Sequence, residues 1–97
     1  MKIFKNVELT EEITALELGI VKVGETKEFI FYLLNDTNAE LQDLEFSVNH
    51  NEVTVKEAPK IINRNSVAKL IIEWTPSITL KEGLKASLNV KGVEIWG

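Results

Sequence analysis

Hydrophobic and polar residues alternate along most of this chain with a period of two, not the 3.6 of a helix. Leu44, Phe46 and Val48 alternate with Asp43, Glu45, Ser47 and Asn49. Leu84, Ala86, Leu88 and Val90 alternate with Lys85, Ser87, Asn89 and Lys91 in the same way. Successive side chains of a strand point to opposite faces, so this rhythm predicts strands with one dry and one wet side. Ala68, Leu70, Ile72 and Trp74 form a third inward row, although Val67 and Ile71 make its other face partly apolar. From Thr26 to Asn35 both faces are apolar, with Phe29, Phe31 and Leu33 on one and Ile30, Tyr32 and Leu34 on the other. A strand of that kind is covered on both sides or meets a partner. Cover by the N-terminal segment is the expectation here.

Turn signals fall where the alternation stops: Val23-Gly24-Glu25, Asn35-Asp36-Thr37-Asn38, Asn49-His50-Asn51-Glu52 and Asn63-Arg64-Asn65-Ser66. Asn and Asp side chains bond back to their own backbone and favour turns. Pro76 and Gly83 bracket a further connection after Trp74. The one helix candidate, Glu11 to Leu18, contains Thr14, and its Leu16 and Leu18 suit a strand better. Short strands broken about every 8–12 residues predict an all-β, immunoglobulin-like β-sandwich of about seven antiparallel strands. The last strand is in phase on even positions through Val90, whereas Val93 and Ile95 are odd. A bulge at Gly92 would restore the phase, because one extra residue flips every later side chain. Trp96 then either turns to solvent or, the simpler expectation, folds over an open end of the core.

With 97 residues the chain has the size of one domain, read as a single unit over 1–97 in which residues 1–13 form an N-terminal strand or arm. Hydrophobic residues at 44% and charged ones at 27% describe an ordinary globular composition, not a disordered one. The lack of cysteine excludes thiolate catalysis and cysteine-based zinc sites, and favours a reducing compartment or a virus particle. Residues 1–8 hold no apolar run of the kind that heads a secretion signal, and no stretch is long enough to cross a bilayer as a helix. The expected location is therefore cytoplasmic or in a virion. The net charge is −4, divided as 4 lysines against 10 acids in residues 1–50 and 7 bases against 5 acids afterwards. An acidic molecule without a basic stripe is not expected to bind nucleic acid.

Two stretches resemble a known family. Leu16-Glu17-Leu18-Gly19-Ile20-Val21-Lys22-Val23-Gly24-Glu25, followed by an aromatic strand ending in Leu34-Asn35-Asp36-Thr37, is similar to the opening of abnormal-spindle and hydin (ASH) type domains, relatives of major sperm protein domains. Trp74-Thr75-Pro76, then Gly83 and the alternating strand from Leu84, resembles that family's later part. The similarity spans roughly residues 16–92 and implies an immunoglobulin-like fold acting as a non-catalytic scaffold for protein contacts. Similar modules also occur in periplasmic chaperones and as additions to phage capsids and tails.

The residues themselves offer little chemistry. His50 is the single histidine and lies between two asparagines in a turn, where a solvated side chain is the simpler reading than a Ser-His-Asp base. Glu11-Glu12 and Asp43 with Glu45 are paired carboxylates on a terminal arm and a wet strand face, not across a cleft. Asp36 to Glu40 places oxygens at alternate positions, but Leu41 and Ser47 stand where a calcium loop needs glycine and glutamate. Asn35-Asp36-Thr37 also matches a glycosylation acceptor, which counts only in a secreted chain. No enzyme activity, metal or cofactor is expected. The expected function is a protein-binding or structural module, with a lean towards an accessory component, decoration or tail, of a phage particle. The alternatives are a carbohydrate-binding sandwich using exposed aromatics and a bacterial cytoplasmic adaptor. Candidate partner contacts are Tyr32, Asp36, Asn38, Glu40 and Trp96, or a sheet edge that accepts a strand.

Overall fold

The computed structural model describes residues 1–97. Nine strands form, and no helix: β1 (Lys2–Phe4), β2 (Glu12–Ile13), β3 (Leu16–Gly19), β4 (Lys27–Asn35), β5 (Glu40–Val48), β6 (Val53–Glu57), β7 (Ser66–Trp74), β8 (Leu84–Ala86) and β9 (Leu88–Ile95). The count exceeds seven for two reasons. The N-terminal arm doubles back as β1 and β2, and Ser87 divides the last strand into β8 and β9.

One layer is a five-stranded antiparallel sheet in the order β2-β1-β4-β7-β6. Its centre is the nine-residue ladder from Lys27↔Trp74 to Asn35↔Ser66, which joins the acidic first half of the chain to the basic second half. The opposing layer is smaller. β3 pairs with β8 and β5 pairs with β9, so the run from Leu84 to Ile95 has one neighbour at its start and another along the rest. Between the layers, Leu16, Leu18, Phe31, Leu33, Leu44, Val53, Ile62, Leu70, Ile72, Trp74 and Ala86 form the core. The inward rows of β4, β5, β7 and β8 are those the alternation indicates, since a half-buried strand must place every second side chain in the dry layer. The result is a β-sandwich. Its radius of gyration of 14.2 Å exceeds the ~13 Å usual for this length, as expected of an elongated body measuring 48 × 26 × 16 Å.

Pro76 is buried, and its carbonyl accepts from Gly24 N at 3.0 Å, tying the turn before β4 to the connection after β7. Gly24 has φ +82, a conformation that side chains other than glycine rarely adopt.

Two expectations are corrected. The phase slip near Gly92 is not a bulge in β9. The extra residue belongs to β5, where Asp43 and Leu44 stand opposite Gly92 alone and Asp43 takes φ 52. Leu44 then crosses the partner strand so closely that a Cβ at Gly92 would lie 2.6 Å from its Cδ2. β9 therefore stays in phase: Leu88, Val90, Gly92 and Glu94 share the groove side, the first two half-buried and the last two exposed at its open end, while Val93 and Ile95 are exposed on the other face. The N-terminal segment does not cover the outer row of β4 either. It hydrogen-bonds beside β4 within the same sheet, leaving Ile30 and Val67 each more than two-fifths exposed.

Candidate functional site

Three places bring together groups that could contact a partner. The first is the end of the sandwich around Asn35. This side chain is fully buried at the point where β4 runs into the loop to β5. Its Nδ2 donates to the carbonyls of Ala39 (2.7 Å), Asn63 (3.1 Å) and Ile62 (3.3 Å). Its Oδ1 accepts from Thr37 N (3.2 Å) and Thr37 Oγ1 (2.7 Å). One amide thus closes its own turn and clamps the chain before β7 against it. Ala39 is fully buried beneath, while Asp36 and Asn38 are exposed and Glu40 is half-buried. Arg64 Nε donates to Asn38 O at 2.6 Å and its Nη2 to Gly97 O at 3.1 Å. Asp36, Asn38, Glu40 and Trp96 accordingly gather at one end, with Glu40 opposite Ile95 in the β5–β9 ladder. Trp96 is 63% exposed and does not close over the core; its indole N–H donates to Glu94 Oε2 at 3.1 Å. Asp36 faces Lys2 at 3.6 Å.

The second place is the outer face of the five-stranded sheet. Tyr32 lies here, half-buried, with Phe4 and Lys69 as its cross-strand neighbours and with Ile30, Leu34, Val67 and Ile71 around it. Tyr32 lies in the five-stranded sheet and Trp96 just past the end of β9 in the opposing layer, so the two share no stacking platform. One edge of this face is charged. Glu28 and Glu73 stand directly opposite each other, a repulsive pair, and Lys56 of β6 bridges both carboxylates. Its hydrogen bond holds the Glu28 carboxyl below its ordinary value, and the pair raises Lys56 above its own.

The third place was legible only as "a sheet edge". Ser87 turns its carbonyl towards Asn49 N (3.1 Å) and its N–H towards Asn49 Oδ1 (2.7 Å), on the β5 side. Main-chain groups of successive strand residues point to opposite edges, so Leu88 and Val90 direct theirs away from β5. β3 occupies that edge only as far as Ala86, and beyond it β9 pairs with nothing but β5. Beneath this bare edge lies a groove of about 460 Å³. Ile3, Leu41, Leu44, Leu88 and Val90 give it an apolar floor, and Asn35, Thr37 and Glu94 a polar end. Sequence reasoning missed the groove because its apolar residues read as ordinary core, Asn35 and Thr37 as a turn, and Glu94 as one more surface charge.

His50 serves its turn: Nδ1 accepts from Glu52 N at 3.2 Å. Glu52 in turn accepts from the Ser77 hydroxyl and from Ser77 N (3.1 Å), and these bonds hold its carboxyl below the ordinary value. The Trp74 indole N–H lies close enough to add a small pull on Glu52 but forms no hydrogen bond, and it is buried without a partner. No three His, Asp or Glu side chains converge as a metal ion would require. No family model, curated protein or solved structure matches the chain.

Proposed function

We propose that this chain is a non-enzymatic protein-binding module that receives an extended segment of a partner along the bare edge of β9. The observation that carries the reading is the coincidence of unpaired main-chain groups at Leu88 and Val90 with an apolar groove directly below them. Backbone pairing supplies affinity in such strand addition, and pockets for alternate side chains supply selectivity. A five-stranded layer faced by fewer strands leaves Met1 exposed and Ile3 only half-buried on its inner side, where an added strand would lie.

The test is to select binders from a displayed random-peptide library and map their footprint by amide hydrogen exchange. Selected peptides should slow exchange at Leu88 and Val90. Binders that protect only the Asp36–Glu40 loop or the Tyr32 face, or a failure to select any, would overturn the proposal.

A further inference from the structure

The groove also specifies what kind of segment it takes, an inference that rests on the strand-accepting reading above. Along β9, the side chains that face inward beneath the bare edge are Leu88, Val90, Gly92 and Glu94. Leu88 and Val90 are half-buried and sit over Ile3 and Leu44. At Gly92 the floor is filled by Leu44, so this position presents leucine methyls from β5 instead of its own side chain. The fourth position changes character. Glu94 is joined there by Asn35 and Thr37, and none of the four ion pairs in the molecule involves it. Glu94 is exposed at the open end of the groove, and its Oε2 accepts from the Trp96 indole, which orients the carboxylate and leaves it without a cation.

We propose that the occupant is a partner strand of alternating pattern, with apolar side chains facing Leu88 and Val90 and a lysine or arginine facing Glu94. A strand antiparallel to β9 runs in line with β3, which already holds the same edge at β8. Its basic residue then stands at the N-terminal end of the segment and its apolar ones follow. Seven residues, Leu88 to Glu94, are open to pairing, and β3 at Leu16 blocks extension past Ala86.

A second copy of this chain fits the groove badly. Two antiparallel β9 strands related by a twofold axis oppose residues of equal parity, because directly opposite residues share a face. Glu94 would then meet Leu88, Val90, Gly92 or its own carboxylate in the copy, and no register offers it a cation. Docking of the copy would take this exposed carboxylate out of water without a cation, which is strongly disfavoured. The same charge guards the edge against self-association.

The experiment appends the occupant to the full chain, joined after Gly97 by a short Gly/Ser linker that keeps its local concentration high. Three tails are compared: alternating valine and threonine with lysine over Glu94, the same with glutamate there, and the lysine tail shifted by one residue. The in-phase lysine tail should raise Tm by roughly 5–10 °C and slow exchange at Leu88 and Val90. The glutamate tail should lose about 2–4 °C of that gain at low salt, with the gap closing as salt is added. In the Glu94→Lys variant the order of the two should reverse. Equal gains from lysine and glutamate tails in both backgrounds would overturn the charge inference and leave strand acceptance standing. No gain from any tail, or an equal gain from the shifted one, would overturn strand acceptance and this inference with it.

Discussion

Replacing Asn35 by aspartate changes one NH2 group to oxygen and leaves the shape of the side chain intact. In the folded protein that group supplies two hydrogens to three carbonyls, those of Ala39, Ile62 and Asn63, in a fully buried position. Loss of two net hydrogen bonds costs about 2 kcal/mol at ~1 kcal/mol each, and buried acceptors left bare add roughly 1–3 kcal/mol. A carboxylate set among three carbonyl oxygens is repelled as well, so the total near pH 7 should be about 3–5 kcal/mol. That is a large part of the ~5–15 kcal/mol that stabilises a typical domain, and corresponds to a fall in Tm of roughly 12–20 °C. Burial raises the folded pKa of the new carboxyl above its unfolded value of about 3.9. The penalty is then complete above the folded pKa and shrinks as pH falls towards the unfolded one, where the neutral acid can donate one O–H. Urea unfolding of wild type, Asn35→Asp and Asn35→Ala near pH 7 and near pH 4 checks this. The aspartate variant should regain stability at the lower pH relative to wild type, and the alanine variant should not. An aspartate variant within about 1 kcal/mol of wild type near pH 7, or one whose deficit ignores pH, would refute the clamp.

Two further outcomes are expected. Trp74→Ala should cost about 3–5 kcal/mol in denaturant unfolding, since the ring fills the core where β7 ends; an unchanged midpoint would remove it from the core. Because Ser77 lowers the Glu52 carboxyl in the folded state, its contribution is present above the ordinary value of 4.5 and is lost as pH falls through the lowered one. The stability gap between wild type and Glu52→Gln should narrow across that acid range, and parallel stability curves would contradict it.

Local order along the chain determined a good deal. The period-two rhythm placed β4, β5, β7 and the β8–β9 run, with Leu70, Ile72 and Trp74 facing in, because a strand sorts its side chains by parity wherever it pairs. Asn35 read as a turn residue, and its bond to Thr37 is the local part of what it does. Its grip on Ile62 and Asn63 lies 27 and 28 residues away, and nothing local announces such a partner. The bulge shows the limit more sharply. A phase slip in one member of a ladder can be absorbed by an extra residue in either strand. Leu41 and Leu44 carried the same slip in β5 that Val90 and Val93 displayed in β9. Only the pairing of the two strands assigned the extra residue to β5, and so put Glu94 on the groove side of β9 and Val93 on the other. The bare edge was likewise a decision of the tertiary structure. Alternation tells which side of a strand is dry, but it carries no record of which neighbour, if any, takes up the main-chain groups along each edge.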